Sequence, residues 1–173
     1  MALTVLLGGA RSGKSALAVR LGREHDGPVT YVATCPRIDD DEDLAGRIAR
    51  HRAERPAEWV TIEEQHDLAG ALTAAGDSFT IVDCLTTWVG NLMFRGDDQA
   101  EIETASERAI GAIRARTAPT VVVSNEVGLG IVPENSLGRE YRDLLGRVNQ
   151  QWVTAADRAL FLVAGKALRL EEP

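Results

Sequence analysis

The stretch "LTVLLGGARSGKS", Leu3 to Ser15, decides the fold. A β-rich run passes directly into glycines, and Gly8, Gly13, Lys14 and Ser15 stand in the register of the phosphate-loop pattern G-x-x-x-x-G-K-[S/T]. The pattern has a physical basis. Glycines let the backbone wrap a phosphate, successive N–H groups and the N-terminus of the following helix point at it, Lys14 adds a charge, and Ser15 offers a hydroxyl to Mg²⁺. Gly8, Gly9, Ala10, Arg11, Ser12, Gly13, Lys14 and Ser15 are therefore expected to bind nucleotide, with Lys14 also catalytic and Ser15 a metal ligand. A glycine-rich turn matching by chance would lack the strand before and the helix after.

Outward from the loop, β-rich runs alternate with helical periodicity. The runs are LTVLL (3–7), VTYVAT (29–34), WVTIE (59–63), FTIVD (79–83), TVVVSN (120–125) and ALFLVA (159–164), with ALRL (167–170) as a candidate edge strand. Helices are expected over 14–24, 41–54, 66–75, 85–95, 98–116 and 136–156. In the last, Tyr141, Leu144, Leu145, Val148 and Trp152 recur at three- and four-residue intervals as one apolar stripe. This alternation implies an α/β fold, a mostly parallel sheet with helices on both faces.

Composition narrows the function classes. With 173 residues, 45% hydrophobic and 26% charged, one domain spanning 1–173 is expected. The net charge of −7 argues against a surface that neutralises nucleic acid or an anionic membrane. Apolar runs are too short to span a bilayer. The N-terminus lacks the pattern of a signal peptide. Cys35 and Cys84 have neither a CxxC spacing nor an adjacent histidine, which fits reduced, buried thiols. The expected location is cytoplasmic.

A phosphate loop is usually paired with a carboxylate on a neighbouring strand that holds the metal, and Asp83, at the end of "FTIVD", is expected in that role. The alternative is a strand-ending aspartate that caps the next helix, with Thr86 and Thr87 just beyond.

The loop specifies a nucleoside triphosphate but no acceptor. "SNEVGLGIVPENSLGREYRDLLGRVNQ" (Ser124–Gln150), together with "GGARSGKS" and "RIARHRAERPAEW" (Arg47–Trp59), resembles the bifunctional adenosylcobinamide kinase/adenosylcobinamide-phosphate guanylyltransferases of cobalamin biosynthesis, over nearly the whole chain. The resemblance implies a RecA-like P-loop NTPase fold, GTP and ATP as substrates with Mg²⁺, adenosylcobinamide and its phosphate as acceptors, and a homo-oligomer, in the family a homotrimer. It implies two reactions: phosphorylation of the aminopropanol hydroxyl, then transfer of GMP from GTP to that phosphate through a covalently loaded histidine.

The match of "RIARHRAERP" puts that histidine at His51. From spacing alone, His51 reads as a passenger on a solvated basic face; the resemblance makes it the nucleophile. A neutral imidazole is competent to attack an α-phosphorus, and Arg52 and Arg55 offer cations for the developing charge. On a helix over 41–54, Arg47, His51 and Glu54 would share a polar stripe beside Leu44 and Ile48. Arg52, Ala53, Glu54 and Arg55 are carried over as nucleotide-binding positions.

So are Ala33, Thr34 and Cys35, which end the second strand, and Glu63, whose carboxylate suits the N1–H and exocyclic amine of guanine. The alternatives there are a strand end and an exposed acidic pair, Glu63 and Glu64. The loop Asn125–Asn135 is expected on the corrinoid side, with Glu126 either orienting the acceptor hydroxyl or sitting behind the metal. His25 and His66 read as surface residues near helix ends. Trp88, Leu92, Met93 and Phe94 are either an oligomer interface or the buried side of a helix. The sequence departs from the family pattern at Gln65, where proline is expected, and at Asp43-Leu44, where Glu-Met is expected. Two other classes fit the loop alone: a single-activity P-loop kinase in which His51 is a bystander, and a non-catalytic RecA-like nucleotide-binding module.

Overall fold

The computed structural model describes residues 2–36 and 55–171. Seven strands form one sheet: β1 (Leu3–Gly8), β2 (Val29–Ala33), β3 (Val60–Glu63), β4 (Phe79–Asp83), β5 (Thr120–Val123), β6 (Arg158–Val163) and β7 (Lys166–Leu170). Their order across the sheet is β3, β2, β4, β5, β1, β6, β7. All neighbours pair in parallel except β7, which returns antiparallel on β6 and forms the expected edge. The described helices are α1 (Lys14–Arg23), α2 (Leu68–Ala74), α3 (Leu85–Arg95), α4 (Gln99–Arg114) and α5 (Ser136–Ala155). The helix expected over 41–54 lies outside the described residues.

Strand side chains alternate between two cores, because successive residues point to opposite faces. On one face Val5, Val82 and Val122 meet α2 to α5, with Trp88 and Trp152 fully buried. On the other, Leu6, Tyr31, Ile81 and Val121 meet Ala18 and Val19 of α1. A buried indole N–H needs an acceptor, and both have one: Trp88 donates to the His66 carbonyl at 2.9 Å and Trp152 to Ser106 Oγ at 3.0 Å.

Helix ends follow the local sequence. Asp98 and Glu101 close a capping box at the start of α4, Asn135 accepts from the Gly138 N–H to start α5, and Gly96 ends α3 in the left-handed region.

Three expectations change, and one pair of alternatives is decided. The strand carrying Asp83 is not the neighbour of the loop strand, because β5 lies between β1 and β4. Trp88 and Leu92 belong to the core, whereas Phe94 is 95% exposed. Cys35 and Cys84 are free thiols but only half-buried. His25 is half-buried, its ring 5.1 Å from that of Phe79, and His66 is half-buried too, with its carbonyl taken by Trp88.

Arg116, buried after α4, ties three elements through its guanidinium: Nη1 donates to the Leu72 carbonyl at 2.5 Å, and Nη2 donates to the Ser78 carbonyl at 2.7 Å and to Thr80 Oγ1 at 2.6 Å. Arg116→Met would remove all three bonds, leaving the Ser78 carbonyl only its bond from Thr80 Oγ1, and is expected to cost about 3 kcal/mol in urea unfolding, with nucleotide affinity unchanged. An unfolding midpoint equal to that of the parent would show that these bonds add no net stability.

Candidate active site

The sheet register assembles the site. Glu63 pairs with Ala33, Ala33 with Asp83, Asp83 with Val123 and Val123 with Leu6, so the C-terminal ends of five strands lie in one row. Gly8 ends β1 two residues past that row, and the phosphate loop turns there into α1. Gly8 has φ +151°, and a β-carbon on it would lie 2.4 Å from the Leu162 carbonyl oxygen and 2.8 Å from Ser12 Oγ. Gly13 caps α1 with φ +101°. Both positions require glycine. Gly9, Ala10 and Arg11 are exposed, Ser12 is buried, and Ser15 is half-buried in the first turn of α1.

Lys14 is folded onto its own loop. Its ammonium donates to the carbonyls of Gly8 at 2.9 Å and Gly9 at 2.7 Å, and to Ser12 Oγ at 3.3 Å. Burial holds its pKa below the ordinary lysine value, opposed by the nearby Cys84 and Asp83. The Asp83 charge thus acts on the Lys14 ammonium despite the intervening strand.

Asp83 does not cap the following helix: Cys84 occupies that position and makes no side-chain cap. Instead Asp83 Oδ2 accepts from the Tyr31 hydroxyl at 2.5 Å. Burial first, then the Asp83 charge, pushes the Tyr31 phenol well above its usual range, so it remains a donor. The Arg55 guanidinium carbon lies 3.4 Å above the Tyr31 ring centroid, a cation–π contact. Among the described residues the buried Arg55 Nε has no hydrogen-bond partner.

Thr34 is fully buried, and its hydroxyl both donates to the Cys84 carbonyl and accepts from the Cys84 N–H, each at 2.8 Å. That hydroxyl ties β2 to β4. Ala33 and Cys35 are half-buried at the same edge, and Glu63 is exposed at the end of β3. Burial favours the protonated form of Glu64, but the N–H groups of His66, Asp67 and Gln65 outweigh it and lower its pKa, so Glu64 braces the turn before α2. His51, Arg52, Ala53 and Glu54 lie outside the described residues.

The loop after β5 is fastened to the phosphate loop. The Glu126 N–H donates to the Gly8 carbonyl at 3.1 Å, the Asn125 N–H to Thr86 Oγ1 at 2.7 Å, and Asn149 Nδ2 to the Asn125 carbonyl at 3.1 Å. Ser124 Oγ donates to Asn149 Oδ1 at 2.7 Å and the Tyr141 hydroxyl to the Thr86 carbonyl at 3.0 Å. Asn91 adds a clamp, donating to the carbonyls of Thr34 at 2.8 Å and Gln65 at 3.2 Å. Sequence reasoning missed Tyr31, Asn91 and Asn149; a polar side chain in an otherwise apolar strand or stripe was the available signal. Leu129, Ile131 and Val132 of this loop are exposed.

Among the described residues no three His, Cys, Asp or Glu side chains converge as a metal cage. Ser15 and Asp83 supply hard oxygen donors, the set that suits a Mg²⁺ sharing its remaining positions with phosphates and water. No described helix is long and apolar enough to cross a membrane.

Comparison with known proteins agrees with this arrangement. The family model described as cobinamide kinase / cobinamide phosphate guanyltransferase matches residues 4–170. The bifunctional adenosylcobalamin biosynthesis protein CobP of Pseudomonas aeruginosa is 40% identical over 96% of this chain and 96% of its own length. The corresponding CobU of Salmonella typhimurium is 40% identical over 98% and 99%, and that of Escherichia coli 36% over 98% and 99%. Among solved structures, an ATPase of a bacterial type III secretion system superposes with a TM-score of 0.59 at 9% identity, covering 94% of this chain and 51% of that one. The RadB recombinase superposes at 0.54 and 17%, covering 92% and 73%. The fold is thus that of the RecA-like P-loop ATPases.

Gly8→Ala is expected to weaken binding of a fluorescent guanine nucleotide by roughly tenfold or more, since the added carbon meets a backbone carbonyl in a conformation L-residues avoid. An unchanged affinity would show that the loop does not depend on that close approach.

Proposed function

Because this chain belongs to the cobinamide kinase / cobinamide phosphate guanyltransferase family, a family of transferases of cobalamin biosynthesis, we propose that it carries out both transfers at the one edge where Gly8 to Ser15, Ala33, Glu63 and Asp83 lie. The observation that carries the reading is the phosphate loop Gly8 to Ser15, with Asp83 in the row of strand ends beside it, in a chain that matches the family model over residues 4–170.

In the first reaction the aminopropanol hydroxyl of adenosylcobinamide attacks the γ-phosphorus of ATP or GTP. The bond to the β-phosphate oxygen breaks, the nucleoside diphosphate leaves, and the hydroxyl proton passes to solvent. In the second, an imidazole nitrogen of His51 attacks the α-phosphorus of GTP and pyrophosphate leaves, giving a phosphoramidate. The phosphate of adenosylcobinamide phosphate then attacks the same phosphorus, the P–N bond breaks, and adenosylcobinamide-GDP forms with the imidazole restored.

The loop N–H groups and Lys14 hold the phosphates, exchanging the lysine's bonds to the Gly8 and Gly9 carbonyls for bonds to phosphate oxygens. Ser15 and Asp83 would hold Mg²⁺, whose charge offsets that building on the phosphoryl oxygens. Arg52 and Arg55 add cations near the α-phosphate, and Glu63 reads guanine. The loop 125–135 faces the corrinoid. The reading includes a homo-oligomer, a homotrimer by family resemblance; a monomer in sedimentation at micromolar concentration would remove that part.

Two substitutions test the scheme. Lys14→Ala is expected to reduce both transfers by about 10²-fold or more, since each draws on the same loop. His51→Ala is expected to abolish the acid-labile, alkali-stable label left on the denatured protein by α-labelled GTP, and with it guanylyl transfer, while phosphorylation of the hydroxyl continues. Normal guanylyl transfer by His51→Ala from purified phosphorylated substrate would refute the covalent route.

A further inference from the structure

We propose that Tyr31 is a positioning residue for nucleotide-bound metal: its hydroxyl fixes the Asp83 carboxylate in one orientation, and its ring face holds Arg55 on the other side. The proposal rests on the reading of Asp83 as the carboxylate that serves a Mg²⁺-nucleotide.

Register explains how the contact arises. Tyr31 pairs with Ile81 across β2 and β4, and Asp83 lies two residues further along its strand, hence on the same face. That face is the one covered by α1, whose first residue is Lys14. The Tyr31 side chain is long enough to run along the face and place its hydroxyl 2.5 Å from Asp83 Oδ2. The ring has little room to turn, because Tyr31 is 2% exposed and the Arg55 guanidinium carbon sits 3.4 Å over its centroid.

A strand-end aspartate that is half-buried would otherwise sample more than one rotamer. With Oδ2 committed to the phenol, Oδ1 is the oxygen left for the metal or its water. Groups that hold a ligating carboxylate in this way tune metal affinity while leaving the nucleotide pocket intact. A phenylalanine would fill the same core position. The hydroxyl is what needs a function, and among the described residues its hydrogen bond goes to the carboxylate at the ligand-facing edge. Arg55 gives the arrangement a further consequence. The same ring orders a cation four residues after His51 in the chain, so one side chain lies between a group assigned to the metal and a group assigned to the α-phosphate.

The test measures metal binding directly. The full chain is loaded with a non-hydrolysable GTP analogue, and Mn²⁺ is titrated while free Mn²⁺ is followed by electron paramagnetic resonance, for the parent, Tyr31→Phe, Asp83→Asn and the double variant. Tyr31→Phe keeps the ring and its stacking and is expected to weaken Mn²⁺ binding by about tenfold, without changing metal-free affinity for the analogue. Excess Mg²⁺ is expected to restore its turnover. In the Asp83→Asn background the same substitution is expected to add nothing, because the group it positions is gone. Parent-like Mn²⁺ binding by Tyr31→Phe, where Asp83→Asn binds poorly, would overturn the proposal and leave the role of Asp83 standing. Mn²⁺ binding unaffected by Asp83→Asn would overturn that role and the proposal with it.

Discussion

The carbonyl of Gly8 is the point on which the ligand-facing edge depends. It accepts from the Lys14 ammonium at 2.9 Å and from the Glu126 N–H at 3.1 Å, so one oxygen joins the phosphate loop to the loop that leaves β5. It can do so only because Gly8 has no side chain, the Leu162 carbonyl of the adjacent strand occupying the space where a β-carbon would stand. β1, β6, the phosphate loop and the segment after β5 therefore share one backbone geometry, and a change at Gly8 reaches all four.

Backbone carbonyls and Ser12 satisfy the buried ammonium of Lys14, which avoids the cost of an unpaired buried charge. In the proposed reading phosphate oxygens replace these carbonyls as acceptors, adding the attraction of a second charge to hydrogen bonds that the ammonium already strengthens. On the opposite side, Thr86, Ser124, Asn125, Asn149 and Tyr141 form a network that fixes the root of the 125–135 loop and leaves Leu129, Ile131 and Val132 exposed. In the proposed reading these apolar residues face the corrinoid.

Much of this was legible from the chain because it is local. The phosphate loop is a contiguous motif, the α5 stripe has a helical period, and Asp83 ends an apolar run, so each could be placed without knowledge of the rest of the fold. What was not legible is relational. Tyr31 and Asp83 are 52 residues apart, Asn91 and Thr34 are 57 apart, and neither pair has a periodic signature. The place of β5 between the loop strand and the Asp83 strand is likewise a property of sheet order, which alternation does not encode. Thr34 is placed by its strand end and by family resemblance, but the pairing of its hydroxyl with the Cys84 backbone, 50 residues on, has no local signal either. The role given to His51 came from family resemblance alone, since a single histidine among arginines has no spacing that distinguishes a nucleophile from a solvated face.

One phosphate loop is proposed to accommodate both donors. Calorimetric titration of the full chain with a non-hydrolysable GTP analogue, repeated in the presence of a non-hydrolysable ATP analogue, tests it most directly. One nucleotide per chain is predicted, with the ATP analogue raising the apparent dissociation constant of the GTP analogue in proportion to its own concentration. Two nucleotides per chain, or GTP-analogue binding that ignores saturating ATP analogue, would contradict it.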